Sequence, residues 1–174
     1  LLFASTSMAA RAAPRIAVVV DGPSELYDET IRELGSELSS LFAARYPTLK
    51  FASQPVLTGD YTQASVEAKL TAALSDPNVD MVVGIGIQTG SAVAKIENLP
   101  KPVFLPFATP QLQALPAKGG TSGRKNLAYL TGLIDLEREL RRFREVIRRD
   151  QVLFLLDQKI LDASPMIPTM LPKF

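Results

Sequence analysis

The sequence contains no cysteine, no histidine and no tryptophan. Without cysteine the chain forms no disulfide and offers neither a thiolate nucleophile nor a thiolate metal ligand. Without histidine it has no imidazole base and no Ser-His-Asp triad, so an enzyme here would depend on carboxylates, lysine, tyrosine or hydroxyl groups. These absences make catalysis less expected, and we expect neither a metal nor another cofactor.

The chain also lacks an excess of one charge and a long apolar run. Its net charge of +1 argues against a nucleic-acid partner, which would require a clear basic excess. No apolar stretch approaches the roughly 20 residues that span a bilayer. Hydrophobic residues nevertheless form 47% of the 174 residues, which is enough for the core of one domain.

The N-terminus resembles the end of a secretory signal peptide. Leu1-Leu2-Phe3-Ala4 is apolar, and small residues follow it through Ala9–Ala13. Small-x-small cleavage sites occur at Ser7-Met8-Ala9 and at Ala10-Arg11-Ala12. We therefore expect residues 1–13 to be a signal-peptide remnant and the domain to be periplasmic; a disordered tail is the alternative.

Strand and helix patterns alternate along the first three quarters of the chain. The predicted strands are residues 15–20, 49–56, 80–85, 102–106 and 126–131. The predicted helices run from the N-cap Ser24 to Tyr46, from Thr62 to Asp76 and from 91 to 99, the second with Val66, Leu70, Ala73 and Leu74 on one face. Short connections between alternating elements predict an α/β domain, a three-layer αβα parallel sheet of the Rossmann-like type.

The pattern changes after residue 131. Leucine, phenylalanine and isoleucine at 136, 140, 143 and 147 predict an amphipathic helix, whose arginine-rich face either docks an acidic partner or is simply solvated, the reading we favour. Residues 152–156 predict another buried strand, followed by a turn. We expect 14–130 to form a first lobe and 131–174 to be the start of a second lobe, incomplete within this sequence.

The candidate site lies where the predicted strands end. Ligands of open parallel sheets bind beyond the carboxyl ends of the strands. The turn after the third strand, 84–91, offers hydroxyls, an amide and backbone N–H groups at a helix N-terminus, which favours an anion or a carboxylate. An ordinary turn capped by its own Thr or Ser is the alternative. The candidate ligand-binding residues are Asp21, Gly22, Ser24, Gln88, Thr89, Ser91 and Thr109.

Nucleotide and acid–base chemistry have weaker support. The glycines at 84, 86 and 90 do not form G-x-G-x-x-G, because the third comes one position late, and no Gly-Lys-Ser/Thr follows. Asp21 and Asp60 could form a carboxylate pair, but loop aspartates mostly serve turns.

Several segments, taken together and in order, resemble a known family. They are 18–24 (VVVDGPS), 58–62 (TGDYT), 76–83 (DPNVDMVV), 99–103 (LPKPV), 120–130 (GTSGRKNLAYL), 136–140 (LEREL) and 143–145 (FRE). The ensemble, across residues 15–164, resembles the type I periplasmic-binding-protein-like domain at the N-terminus of some TolC-type outer-membrane efflux proteins. More distantly, it is similar to the substrate-binding proteins of ABC transporters.

The resemblance implies a role in transport. The free-standing binding proteins often have a Thr or Ser in the turn after the third strand, where this chain has Thr89 and Ser91; the resemblance implies no catalytic residue. The implied function is a periplasmic domain that binds or senses a small solute beside envelope transporter components. Any outer-membrane association would come through a region beyond residue 174. The alternatives are a ligand-free adaptor head of an efflux channel and, less expected, a Rossmann-like enzyme.

Overall fold

Strands and helices alternate in the computed structural model, which describes residues 13–46, 56–131, 136–147, 153, 155–163 and 167. The elements are β1 (Ile16–Val20), α1 (Glu25–Phe42), β2 (Val56–Thr58), α2 (Gln63–Ser75), β3 (Met81–Ile85), α3 (Ile87–Lys95), β4 (Val103–Leu105), α4 (Pro110–Gln113), β5 (Leu127–Tyr129), α5 (Leu136–Ile147) and α6 (Gln158–Ala163).

The five strands form one parallel sheet in the order β2-β1-β3-β4-β5. The first strand, β1, lies in the interior of the sheet. The chain then runs outward to β2, returns past β1 to β3, and continues to β4 and β5. The direction of the crossovers therefore reverses between β1 and β3, which is the switch point where sheets of this kind bind ligands. The predicted α/β fold, with helices flanking a parallel sheet, is confirmed.

Helices cover both faces of the sheet. In β1 the side chains of Ala17 and Val19 enter a core that includes residues of α2 and α3. The alternate residues Ile16, Val18 and Val20 face the other way, toward half-buried residues of α1. Because both faces are covered, β1 is apolar at every position instead of alternating.

The second helix agrees with its sequence pattern. All four predicted core residues are buried in α2. Thr62 caps its N-terminus by accepting a hydrogen bond from the backbone N–H of Ser65 at 3.2 Å. Ser24 is likewise the N-cap of α1, but its side chain makes no capping hydrogen bond.

Two predicted boundaries were wrong. Residues 49–55 of the predicted second strand lie outside the described residues, and β2 extends to Thr58 because Thr58 pairs with Val20 across the sheet. The third helix begins at Ile87, four residues before its predicted start. Its first turn was interpreted as a loop because it is rich in polar residues and glycine.

The predicted strand at 152–156 was also wrong for the residues that the structure describes. Leu153 and Leu155 are 85% and 89% exposed and lie outside regular secondary structure. A continuous apolar run forms a buried strand only where other elements cover both of its faces, and none of the described elements covers these leucines. A helix, α6, replaces the predicted turn and contacts α2 and α3.

Two other expectations stay predictions. One is the division of the chain into two lobes at residue 130. The other is the signal-peptide remnant, of which residues 1–12 lie outside the described residues.

Every described side chain of α5 is exposed, and Arg142 lies 3.9 Å from Glu139, as expected of a solvated charged face. Among the described helices, none combines the length and the apolar character needed to cross a bilayer.

We predict that Leu70→Ala lowers the free energy of unfolding by about 2–5 kcal/mol, because Leu70 is 1% exposed and its loss leaves a cavity beneath α2. The matched control is Leu26→Ala in α1, where the leucine is 67% exposed and the expected change is about 0.5 kcal/mol or less. Urea unfolding of both variants measures the difference. Equal losses would contradict the assigned core.

Candidate functional site

The candidate site is formed by the residues that follow β1 and β3. The last residues of these strands, Val20 and Ile85, are paired neighbours, so Asp21 and Gly86 emerge side by side at the carboxyl edge of the sheet. Asp21, Gly86, Gln88 and Thr89, here called the switch-point cluster, meet at this place. The structure therefore brings together three of the predicted site residues: Asp21, Gln88 and Thr89.

The carboxylate of Asp21 binds the N-terminus of α3. One oxygen, Oδ2, accepts from the backbone N–H of Gln88 at 2.9 Å. The other, Oδ1, accepts from the backbone N–H and from the hydroxyl of Thr89, both at 2.7 Å. First-turn N–H groups have no partner within their own helix, and the N-cap residue Gly86 has no side chain to offer. Asp21, which directly follows β1, supplies the missing cap.

The contact between Asp21 and α3 requires a glycine at residue 86. Its backbone has φ of +126°, a conformation that favours glycine. A Cβ atom at this position would also collide with the carboxyl group of Asp21. The glycine pattern of this turn thus allows an internal carboxylate to approach the helix, with no nucleotide required.

The opposite end of α3 is capped by a cation. The guanidinium of Arg124 donates to the carbonyl oxygens of Ala94 at 3.0 Å and Ile96 at 2.9 Å. A carboxylate at the N-terminus and a guanidinium at the C-terminus both stabilise the helix dipole. Residues distant in sequence therefore fix α3 at both ends.

The structure corrects the expected ligand chemistry of this turn. Its N–H groups bind a carboxylate, but this carboxylate is the side chain of Asp21 and not a ligand. Because Gln88 N and Thr89 N already donate to Asp21, they have no free N–H for an external anion at the same place. The negative charge of Asp21 would repel such an anion as well.

Burial controls the ionisation of the cluster. It raises the pKa of Asp21 above its ordinary value of 3.8, and the hydrogen bonds from Thr89 and Gln88 oppose this shift without cancelling it. Burial, together with the nearby charge of Asp21, raises the pKa of Tyr27 to about 12, so this phenol stays protonated at neutral pH.

Gln88 has an unused acceptor. The residue is 2% exposed, and its Nε2 donates to the backbone oxygen of Tyr61 at 2.7 Å and to that of Lys159 at 3.4 Å. Because both neighbours are carbonyl groups, the nitrogen of the amide must be on their side. The carbonyl oxygen Oε1 is buried without a hydrogen-bond partner, and so is the hydroxyl of Ser91, which is 5% exposed.

Tyr61 covers the end of β1. It has φ of +64°, its N–H donates to the backbone oxygen of Asp21 at 2.8 Å, and its hydroxyl donates to the backbone oxygen of Pro23 at 2.6 Å. A Cβ atom at Gly22 would lie 2.6 Å from the ring carbon Cζ of Tyr61. Gly22 therefore makes room for the ring, and its predicted contact with a ligand stays a prediction.

Thr109 joins the cluster only indirectly. Its backbone N–H donates to Oε1 of the buried Gln113 at 2.7 Å, and Nε2 of Gln113 donates to the backbone oxygen of Gly86 at 3.0 Å. Ser24 lies at the start of α1, without a capping bond. Ser24 and Thr109 stay predicted ligand-binding residues.

Sequence reasoning missed three residues of the site. Tyr61 could have been found, because it follows β2 and all parallel strands end at the same edge of the sheet. Gln113 and Lys159 carried no signal, since only the tertiary fold brings α4 and α6 to α3.

The possible Asp21–Asp60 pair does not form. The exposed carboxylate of Asp60 instead accepts from the backbone N–H of Thr62 at 2.9 Å and from its hydroxyl at 2.5 Å. These bonds lower the pKa of Asp60, whereas burial raises that of Asp21. Within the described ranges, no group of three or more carboxylates is arranged to hold a metal ion.

Comparison with protein-family models, with curated proteins and with solved structures finds no match for this chain. Its function is therefore inferred from the site itself and from the resemblance of its sequence segments to a known family.

We predict that Asp21→Asn destabilises the fold by about 1–3 kcal/mol at pH 7, because an amide leaves a buried N–H donor of α3 without an acceptor. The gap between the two proteins should widen as pH falls toward 3.8. With a raised pKa, the folded wild type binds a proton that the unfolded chain does not, so Asp21 favours folding more at the lower pH.

Denaturant unfolding of both proteins across pH 4–7 measures this gap. Other carboxylates, such as Glu67, have a lowered pKa and therefore contribute less to the stability of the fold as pH falls through the same range. They are present in both proteins, so their effects cancel in the difference between the two. A gap that narrows as pH falls would mean that hydrogen bonding, not burial, dominates at Asp21.

Proposed function

We propose that this chain is a non-catalytic domain that binds or senses a small solute for an envelope transport system. The observation that carries the proposal is the pair of buried, unpartnered polar atoms on α3, Gln88 Oε1 and Ser91 Oγ. A buried polar group without a partner costs about 1–3 kcal/mol, and native proteins contain few of them. A ligand that supplies partners would recover this energy.

The location of these atoms supports the proposal. Gln88 belongs to the switch-point cluster, at the carboxyl edge of the sheet beside the switch point, where parallel sheets commonly bind their ligands. Ser91 follows three residues later on α3 and so lies on the same side of the helix. The two groups can therefore act on one bound molecule.

The chemistry of the cluster argues against catalysis. Thr89 donates to Asp21 at 2.7 Å, which resembles a nucleophile beside its base. However, Thr89 is 0% exposed, and both oxygens of Asp21 are engaged with α3. A hydroxyl that already donates to Asp21 and a carboxylate that holds a helix in place are both engaged within the fold, unlike the unpartnered atoms of Gln88 and Ser91.

The transport context comes from the sequence. The signal-peptide-like N-terminus and the resemblance to periplasmic-binding-protein-like domains support export and service to an ABC or efflux system. These features motivate the proposal and are independent of the geometry of the site.

A ligand-free adaptor head of an efflux channel is the second candidate. It is favoured by the exposed apolar residues of α5, namely Phe143, Val146 and Ile147. An adaptor would use such a surface to contact a channel component and would leave the crevice unused.

A thermal denaturation screen against a broad panel of metabolites tests the proposal. A true ligand should raise Tm with concentration, by the equivalent of about 2.7 kcal/mol at 100 times its Kd. Ser91→Ala should weaken that response, while Ser36→Ala, at an exposed serine of α1, should not. If no compound stabilises the chain and a purified outer-membrane channel protein binds it through α5, the adaptor function replaces the proposal.

A further inference from the structure

The short helix α6 lies beside the site and makes only long hydrogen bonds to it. It contacts α2 and α3, and Lys159 in its first turn reaches the switch-point cluster. The backbone oxygen of Lys159 accepts from Gln88 Nε2 at 3.4 Å, and its ammonium group donates to the backbone oxygen of Asp60 at 3.4 Å. Both distances are beyond the usual range for a hydrogen bond, so these two bonds hold α6 weakly.

The amide of Gln88 is therefore only half satisfied. One N–H makes a strong bond to Tyr61 at 2.7 Å, the other makes the weak bond to Lys159, and Oε1 makes none. A buried glutamine elsewhere in the fold is different: Gln113 accepts at 2.7 Å and donates at 3.0 Å. The carbonyl oxygen of Gln63 at the start of α2 is also buried without a partner, but Gln63 is only half-buried, whereas Gln88 is 2% exposed.

A primary carboxamide has the complementary groups. Its carbonyl oxygen can accept from Nε2 in place of Lys159, and its N–H can donate to Oε1, so it would satisfy the amide with two bonds. A carboxylate has no donor for Oε1 and would bring a second negative charge close to Asp21. The site should therefore distinguish an amide from the corresponding acid.

We propose that Gln88 and Ser91 form a carboxamide-selective subsite, which α6 covers with the backbone carbonyl of Lys159 until a ligand replaces it. This inference rests on the proposed solute-binding function and names its ligand class. Because α6 occupies the place of the ligand's carbonyl group, it acts as an internal competitor. The apparent Kd of a ligand then equals its intrinsic Kd divided by the fraction of molecules in which α6 is open.

The side-chain amide signals of glutamine in ¹H–¹⁵N spectra test the subsite in the intact chain. The probes are benzamide, propionamide and leucinamide, each paired with its acid: benzoate, propionate and leucine. At least one amide should shift the Gln88 signal saturably, and its acid should bind at least about tenfold more weakly, the factor that corresponds to 1.4 kcal/mol. The Gln113 signal is the internal control and should stay in place. Because Gln88→Leu removes the reporter signal, that variant is tested by thermal denaturation, in which the amide should no longer raise Tm.

The competing role of α6 is tested with Leu161→Pro. Proline removes the N–H that Leu161 donates to Asp157 at 3.2 Å and should open α6. We expect the apparent Kd of the amide to fall several-fold in this variant. An unchanged or higher Kd would overturn the role of α6 as a competitor.

The outcomes separate this inference from the proposed function. Equal binding of an amide and its acid would overturn the selectivity. If no amide shifts Gln88, even in Leu161→Pro, but a compound from the metabolite panel raises Tm, the subsite is wrong and solute binding stands. If neither response occurs, both proposals fail.

Discussion

The carboxylate of Asp21 ties the end of β1 to the start of α3, and the geometry of the site depends on this one contact. It satisfies the first-turn amides of Gln88 and Thr89, which would otherwise be buried without partners. It also requires a residue without a Cβ atom at Gly86. With Arg124 at the other end, it fixes α3 against the sheet and so determines where the remaining side chains of α3 point.

This contact also bears on which ligands the proposed site would accept. A helix N-terminus at a switch point would ordinarily attract an anion. Here the position is filled from within, and the local charge becomes negative. Under the proposed function, a ligand would instead be recognised on the side of α3 where Gln88 Oε1 and Ser91 Oγ are buried without partners. The proposed preference for a neutral amide over an acid follows from this reversal, and it makes a nucleotide or another phosphate a poor candidate.

Sequence patterns correctly predicted the elements in which burial follows a regular pattern along the chain. The apolar run of β1 and the four core residues of α2 each lie where the pattern places them. The start of α3 was missed because its polar, glycine-containing first turn is stabilised by Asp21, which is 65 residues away from Gly86 in the chain. Polar residues near a strand end indicate a site, but the sequence does not tell whether they bind one another or a ligand.

The remaining misses have the same physical origin. The apolar run that includes Leu153 and Leu155 predicted a buried strand, but an apolar run does not show whether other elements cover it, and both leucines are exposed. Gln113 and Lys159 reach the site through the packing of α4 and α6, which no local pattern specifies. Asp21, Gln88 and Thr89 could be predicted as neighbours because the order of a parallel sheet brings strand ends together.

Hydrogen exchange of the backbone amides of Gln88 and Thr89 tests the central claim most directly. N–H groups in the first turn of a helix normally exchange fast, because they have no partner within the helix. If Asp21 binds them, both should be protected to the same extent as the amides of β1 and β3. Asp21→Asn, which keeps one acceptor oxygen, should remove the protection of at least one of them. Fast exchange of both amides in the wild-type chain would contradict the account.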